Sequence, residues 1–357
     1  GGPSSCGCRM AARYPEEMVF EMGVPVPATL RPPPSDPVPV PPARRPGSVR
    51  RTSTLLMSWP DGLAGDLHLY GDARDLLTPL EGEAAVLRAA RLHAVTDRLR
   101  EILSIEAEPA ASDVQRLVGC RAGSNLRTAI AEQLPEEVEA GTPLHLLLDD
   151  LAGSTLISGF AMALWADEFP EIRSRMAGAH TQKVMRDICS GFRHGSSALT
   201  PEGTIRGISM NTPEPGPLAD PADALSWHHE PSRPPMAMRR ARRIDVWGED
   251  GELHINAMFR DSCWDPQGRE NVVHEYELLG RADAAGTLRA MTAVPKVLPY
   301  AECPLAAPNA SWLEGSALRA MRSEVLQRLR STDCCTHLND GLRSLAEVPV
   351  LAAALEP

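Results

Sequence analysis

Two stretches of this chain read alike. Leu67-His68-Leu69-Tyr70-Gly71-Asp72-Ala73-Arg74-Asp75 matches Leu253-His254-Ile255-Asn256-Ala257-Met258-Phe259-Arg260-Asp261 at an offset of 186. Two further blocks follow in the same order: Leu99–Ile105 with Leu288–Val294, offset 189, and Gly123–Leu134 with Gly315–Leu326, offset 192. Three ordered blocks with slowly drifting offsets predict an internal duplication. Within the quoted stretch Leu253, Ile255, Ala257 and Phe259 alternate with His254, Asn256, Met258 and Arg260, which predicts a strand with one apolar face.

Working outward, an earlier strand in each copy ends at a turn signal, Trp59-Pro60-Asp61-Gly62 or Glu249-Asp250-Gly251. A second strand pair is expected at 85–95 with 98–106 and at 272–282 with 287–297, the latter joined by Asp283-Ala284-Ala285-Gly286. The composition of Ala84–Leu103 would also suit a helix, and its β-branched counterpart Val272–Val294 decides for strands. Helices are expected over Ser124–Leu134 and Ser316–Leu329, with a second one near Pro143 and near Thr336. Thr336 stands as an N-cap, with Asn339 three residues on.

The expected fold class is therefore α+β: internally duplicated β-β-β-β-α-α units related by a pseudo-twofold, with antiparallel sheets covered by helices. Residues 1–47 are expected to be a Pro-rich extended arm, 48–160 the first repeat, 161–237 a helical and Pro-rich connector, and 238–357 the second repeat. Within the connector a helix is expected from Pro170 to Cys189. The prolines of 24–46 and 213–235 favour extended geometry.

The 357 residues carry a net charge of −11, which argues against a nucleic-acid partner. Arg239, Arg240, Arg242 and Arg243 are the local exception, read as a solvated strand start rather than a phosphate site. No apolar run suggests a membrane span, and no secretory leader is recognised, so reduced thiols and a cytoplasmic location are expected.

Where one copy is chemically rich and its twin bland, function is sought. Asp333-Cys334-Cys335-Thr336-His337-Leu338-Asn339-Asp340 faces a mostly apolar twin, Gly141–Asp149. Tyr300-Ala301-Glu302-Cys303-Pro304 faces Ala107-Glu108-Pro109, which has no thiol. Two functional readings stay open beside a structural one. Cys303, Cys335 and His337 could hold zinc, completed by Asp261, Cys189 or His194. Alternatively Cys335 is a thiol at a helix start and His337 an acid or base oriented by Asp261 or Asp340, with no cofactor. The structural reading is a buried thiol and a hydrogen-bonded histidine. Asp187, Arg193 and His194 suit a ligand-facing turn or an exposed helix end, His228-His229 a solvated pair, and the matched His68 and His254 scaffold positions.

Arg243-Ile244-Asp245-Val246, Asp250-Gly251, Arg260-Asp261, Tyr300 with Cys303, and Cys335-Thr336-His337-Leu338 resemble an uncharacterised bacterial family, a domain of unknown function. Its pattern has a strand beginning Arg-x-Ile, then Tyr-Pro-x-Cys and Gly-Cys-Thr-His-Leu; here Ala301 replaces the proline and Cys334 the glycine. The resemblance spans Arg242 to about Leu355 and implies no activity.

These readings together predict an enzyme acting on a small, mostly apolar metabolite by acid–base or thiol chemistry of hydrolase, isomerase or lyase type. Its expected residues are Cys335, His337, Cys303 and Asp261, near the interface of the repeats. No dinucleotide fingerprint points to hydride transfer. The alternative is a non-catalytic ligand-binding or assembly protein whose Pro-rich arm wraps a partner subunit, including a second copy.

Overall fold

The computed structural model describes residues 32–62, 65–109, 113–169, 185–206, 213–230 and 232–355. The first four strands are β1 (Ser48–Ser58), β2 (Leu67–Thr78), β3 (Ala85–Thr96) and β4 (Ile102–Glu108). The second four are β5 (Ala237–Glu249), β6 (Glu252–Trp264), β7 (Glu270–Asp283) and β8 (Leu288–Val297). All eight lie in one antiparallel sheet, ordered β4-β3-β2-β1-β5-β6-β7-β8. Each half is a meander, and the two meet through their first strands, from Ser48↔Trp247 to Ser58↔Ala237. The units could have buried either strand edges or sheet faces against each other; they join edge to edge, which removes the exposed edges that β1 and β5 would otherwise present.

The hairpin chemistry is local. Asp250 and Gly251 have φ of 54° and 77°, the left-handed pair that a two-residue turn between β5 and β6 requires. The Asp283–Gly286 turn closes with Gly286 N–H donating to the Asp283 carbonyl at 2.9 Å.

On one face lie α1 (Leu126–Gln133), α2 (Pro135–Ala140), α3 (Pro143–Ile157) and α4 (Gly159–Leu164) of the first half. The second half adds a 3-10 run, Cys303–Leu313, then α5 (Met321–Arg328), α6 (Thr336–Ser344) and α7 (Val348–Ala352). These extra pieces make the helical layer richer than two helices per half. Cys335, not Thr336, is the N-cap of α6, and Asn339 instead donates its side-chain amide to the Leu329 carbonyl. The helical expectation for Pro170–Cys189 lies outside the described residues up to 184; from 185 to 189 the chain turns.

Alternation along each strand sorts the two faces. Ile255, Ala257 and Phe259 join Leu338, Leu342 and Leu345 in the core of the second half. Leu55, Met57 and Leu69 join Leu147, Leu148 and Leu151 in that of the first. Pro143–Leu164 is apolar and long enough to cross a membrane by composition, yet it is largely buried against the sheet and neighbouring helices. The opposite face is covered by the arm and connector: Trp227 and Leu218 pack on Ala241 and Met258. Asp36 N–H donates to the Lys296 carbonyl, and Arg260 donates to the carbonyls of Val38 and Gly216. Residues 34–44 thus lie on the chain's own sheet. His228 is buried there against Thr52 at 2.9 Å, correcting the solvated reading; burial, then the charges of Arg74 and Arg239, bring its imidazole down to about 3.

Candidate functional site

The four arginines of β5 are all buried, two on each face. The expectation of a solvated strand start fails because β5 is central and both faces are covered. On the helical side, Arg240 grips Asp261 of β6 with two hydrogen bonds, Nε to Oδ1 at 2.9 Å and Nη2 to Oδ2 at 3.1 Å. Its Nη1 also reaches Asp340 of α6 at 3.1 Å and Asp150 of α3 at 3.4 Å. Arg242 holds Asp150 through Nε at 2.6 Å and Nη2 at 2.5 Å. Arg127 of α1 bridges Asp149 and Asp340, and Arg343 approaches Asp149 at 3.4 Å. Four guanidiniums therefore face four carboxylates at the contact of α3 with α6. Burial pushes the Asp149, Asp261 and Asp340 carboxyls up, but the adjacent arginines outweigh it and hold them below the usual range.

Asp261 leads out of this network. On β7, His274 is its cross-strand partner. His274 Nδ1 lies 3.3 Å from Asp261 Oδ2, although the alignment leaves that buried nitrogen without a hydrogen bond. The His274 ring stacks on His337 of α6, with centroids 3.5 Å apart and planes 18° from parallel. Phe160 of α4 meets His274 edge-on at 5.7 Å. Asp261 and His274 are buried and His337 is half-buried. Burial lowers both imidazoles; Asp261 opposes this at each, whereas His274 adds to it at His337. Both rings are thus neutral at pH 7, each with a free lone pair.

The thiols gather beside this group. Cys189, Cys303 and Cys335 interact with one another and with Tyr276 and Tyr300, and all are buried. Burial pushes the thiols up: Cys189 and Cys334 to about 12, Cys303 well above its ordinary value, and Cys335 in the same direction although the Leu338 and His337 amides oppose it. The helix start does not create a reactive thiolate, because desolvation exceeds what two amides return.

Of the four residues singled out from sequence, Asp261 and His337 converge in one cluster and Cys303 and Cys335 in the neighbouring one, with Cys335 two residues from His337 on the same helix start. Sequence reasoning missed His274, Arg240 and Asp150. The comparison of halves held a signal for His274: Asp261 pairs with His274, whereas its counterpart Asp75 pairs with Arg88. Nothing in the sequence marked Asp150, whose role depends on α3 meeting β5. Asp187 and His194 form an exposed turn, Asp187 accepting from the His194 N–H at 2.8 Å. His68 contacts His93 and Tyr70, and His254 stacks on Trp247. Tyr70 and His93 also line an open groove of about 610 Å³ with Asp72, Arg91, Glu106 and His229, on the uncovered part of the outer face.

Fold and site together define a mixed helix–sheet protein built on one antiparallel sheet, with a buried arginine–carboxylate network abutting a His–His–Asp cluster. Residues 238–351 match the model of a family described as a protein of unknown function (DUF2889), so the second half is similar to that family over about a third of the 357-residue chain. No curated protein and no solved structure matches the chain.

Proposed function

We propose that this chain is an enzyme that acts on a small, mostly apolar metabolite by acid–base chemistry of hydrolase, isomerase or lyase type, with His337 as the group that meets the substrate. The observation that carries this reading is the series of contacts from the fully buried Arg240, which grips Asp261, to His274, 3.3 Å from Asp261, and to the half-buried His337 stacked on it. The Asp261 charge favours the protonated form of His337 against burial, and the His274 ring stacked on it fixes its plane. Phe160 and Phe259 make the surroundings apolar, which suits an apolar substrate. Thiol chemistry draws less support, since burial disfavours the thiolate at Cys303 and Cys335.

The site lies between two halves that we read as duplicates related by a pseudo-twofold. Supporting this, the sequence-matched Asp75 and Asp261 hold like positions on β2 and β6. Each is gripped by two hydrogen bonds from an arginine of the adjoining first strand, Arg51 or Arg240. The shared clamp is scaffold, and what the second half adds beside it is His274, which pairs with Asp261 where Arg88 pairs with Asp75. A cytoplasmic location accords with the free, buried thiols among the described residues. The assembly reading is less favoured, because residues 34–44 of the arm already bind the chain's own sheet.

The test is a screen of small apolar esters, amides and hydroxyacyl compounds with the wild-type chain and His337→Gln. Turnover of any hit should fall about 100- to 10,000-fold in the variant, the usual worth of a positioned acid or base, while its melting temperature holds. A variant that turns over the same hit at the wild-type rate would overturn the assignment.

A further inference from the structure

We propose that Asp261, His274 and His337 bind one first-row divalent metal ion, through two imidazole nitrogens and one carboxylate oxygen. This rests on the same site as the acid–base reading and would change its chemistry, since an ion there supplies a bound water of lowered pKa.

Three observations carry it. First, the donor atoms of the three side chains lie within 4.8 Å of one another, and they are the one such group among the described residues. Donors around a single tetrahedral ion with bonds of about 2.0–2.2 Å stand roughly 3.3 Å apart. The group therefore needs a contraction of at most about 1.5 Å together with a turn of the two stacked rings, both side-chain rotations. Second, His274 Nδ1 is buried and has no hydrogen-bond partner, despite lying 3.3 Å from Asp261 Oδ2. An unpaired buried nitrogen costs about 1–3 kcal/mol, and an ion shared with Asp261 would satisfy it. Third, the donors sit on β6, β7 and the first turn of α6, elements fixed by the sheet and by the arginine network.

The surrounding groups suit this role. Arg240 donates one bond to each oxygen of Asp261, and a carboxylate has about four acceptor sites, so a lone pair on Oδ2 remains. Ligating carboxylates are commonly held by such an outer partner. A ligated ion lies in the plane of each imidazole, so the two rings turn out of their stack to share one. Three protein donors leave a coordination position for water, the pattern of catalytic rather than structural sites. This donor set differs from the Cys303, Cys335 and His337 set expected from sequence, whose thiols belong to the adjacent apolar cluster.

The experiment takes the full chain, stripped with a chelator, and titrates it separately with Zn²⁺, with Co²⁺ and, anaerobically, with Fe²⁺. The expected result is one ion per chain, with Co²⁺ giving visible ligand-field bands and no thiolate charge-transfer band. His274→Ala and His337→Gln should weaken binding at least about 100-fold, while Cys303→Ala and Cys335→Ala leave it unchanged. His337 is half-buried, so its variant keeps the test valid if His274→Ala fails to fold. Absence of stoichiometric binding, or binding lost in the cysteine variants and kept in the histidine ones, overturns the proposal. The two readings separate cleanly. A chain that binds no ion yet loses turnover in His337→Gln keeps the acid–base assignment and discards the metal. A chain that binds the ion through the histidines yet turns over normally in His337→Gln does the reverse.

Discussion

Gly153 sits where α3 crosses the arginine of β5. A Cβ there would stand 2.0 Å from Arg240 Nη1 and 2.8 Å from Asp340 Oδ2. Neither group can retreat, because each is held by several charged hydrogen bonds in a buried setting. Gly153→Ala should therefore destabilise the protein by about 1–3 kcal/mol, the usual penalty of overpacking, although alanine is the better helix former by about 1 kcal/mol. Urea denaturation of this variant beside Gly159→Ala tests it, since a Cβ at Gly159 meets nothing within 4 Å. Equal midpoints for the two variants would remove the steric argument. From the sequence, Gly153 is one glycine in an apolar run, and its partner is 87 residues away on a strand of the other half. Asp261 and His337 were legible because they stand in stretches that the halves could be compared over. Arg240 and Asp150 were not, because a charged residue in a strand or helix is solvated until something covers it.

At the scale of elements, the start of α6 places Cys335 at its N-cap and His337 in its first turn. A helix start stabilises a thiolate, yet here the surrounding apolar cluster decides the outcome. With Cys6, Cys8 and Cys120 changed to serine, the five remaining thiols should react with a disulfide reagent at pH 8 at least about 100-fold more slowly in the native chain than in denaturant, following the loss of thiolate. Fast labelling of Cys303 or Cys335 in the folded chain, located by peptide mapping, would return thiol chemistry to consideration. The strands of β6 to β8 followed from period-two alternation and the Asp283–Gly286 turn, which are local. The 3-10 run over Cys303–Leu313 did not, since its two prolines and irregular apolar spacing fit no single period.

At the scale of the molecule, buried ion pairs tie the halves in addition to the β1–β5 seam. Arg51 of β1 reaches Glu347 at 3.0 Å, and His145 of α3 lies 3.2 Å from the same carboxylate. Burial raises the Glu347 carboxyl, but the His145 hydrogen bond and the charges of Arg51 and Arg322 prevail and bring it down to about 2, from an ordinary 4.5. A folded-state value below the unfolded one means stability that is complete above pH 4.5 and is lost as pH falls toward 2. For Glu347 this is on the order of 3 kcal/mol, and Asp149 acts in the same direction. The urea midpoint should therefore drop over that window. Glu347→Gln should be less stable at pH 7, because Arg51 and Arg322 lose their partner, and should lose less on acidification. An unchanged pH slope in the variant would show that other carboxylates carry the effect.

The sequence by itself determined the strands, their hairpins, the two helix starts near Pro143 and Thr336, and the likeness of the two halves, since these rest on alternation, turn residues and self-comparison within short stretches. Only the tertiary structure decided that the eight strands make one sheet, that its central arginines are buried against carboxylates, and that His274 joins Asp261 and His337. Those outcomes depend on which surfaces cover one another, and a charge or an imidazole acquires its role only when the far end of the chain excludes water from it.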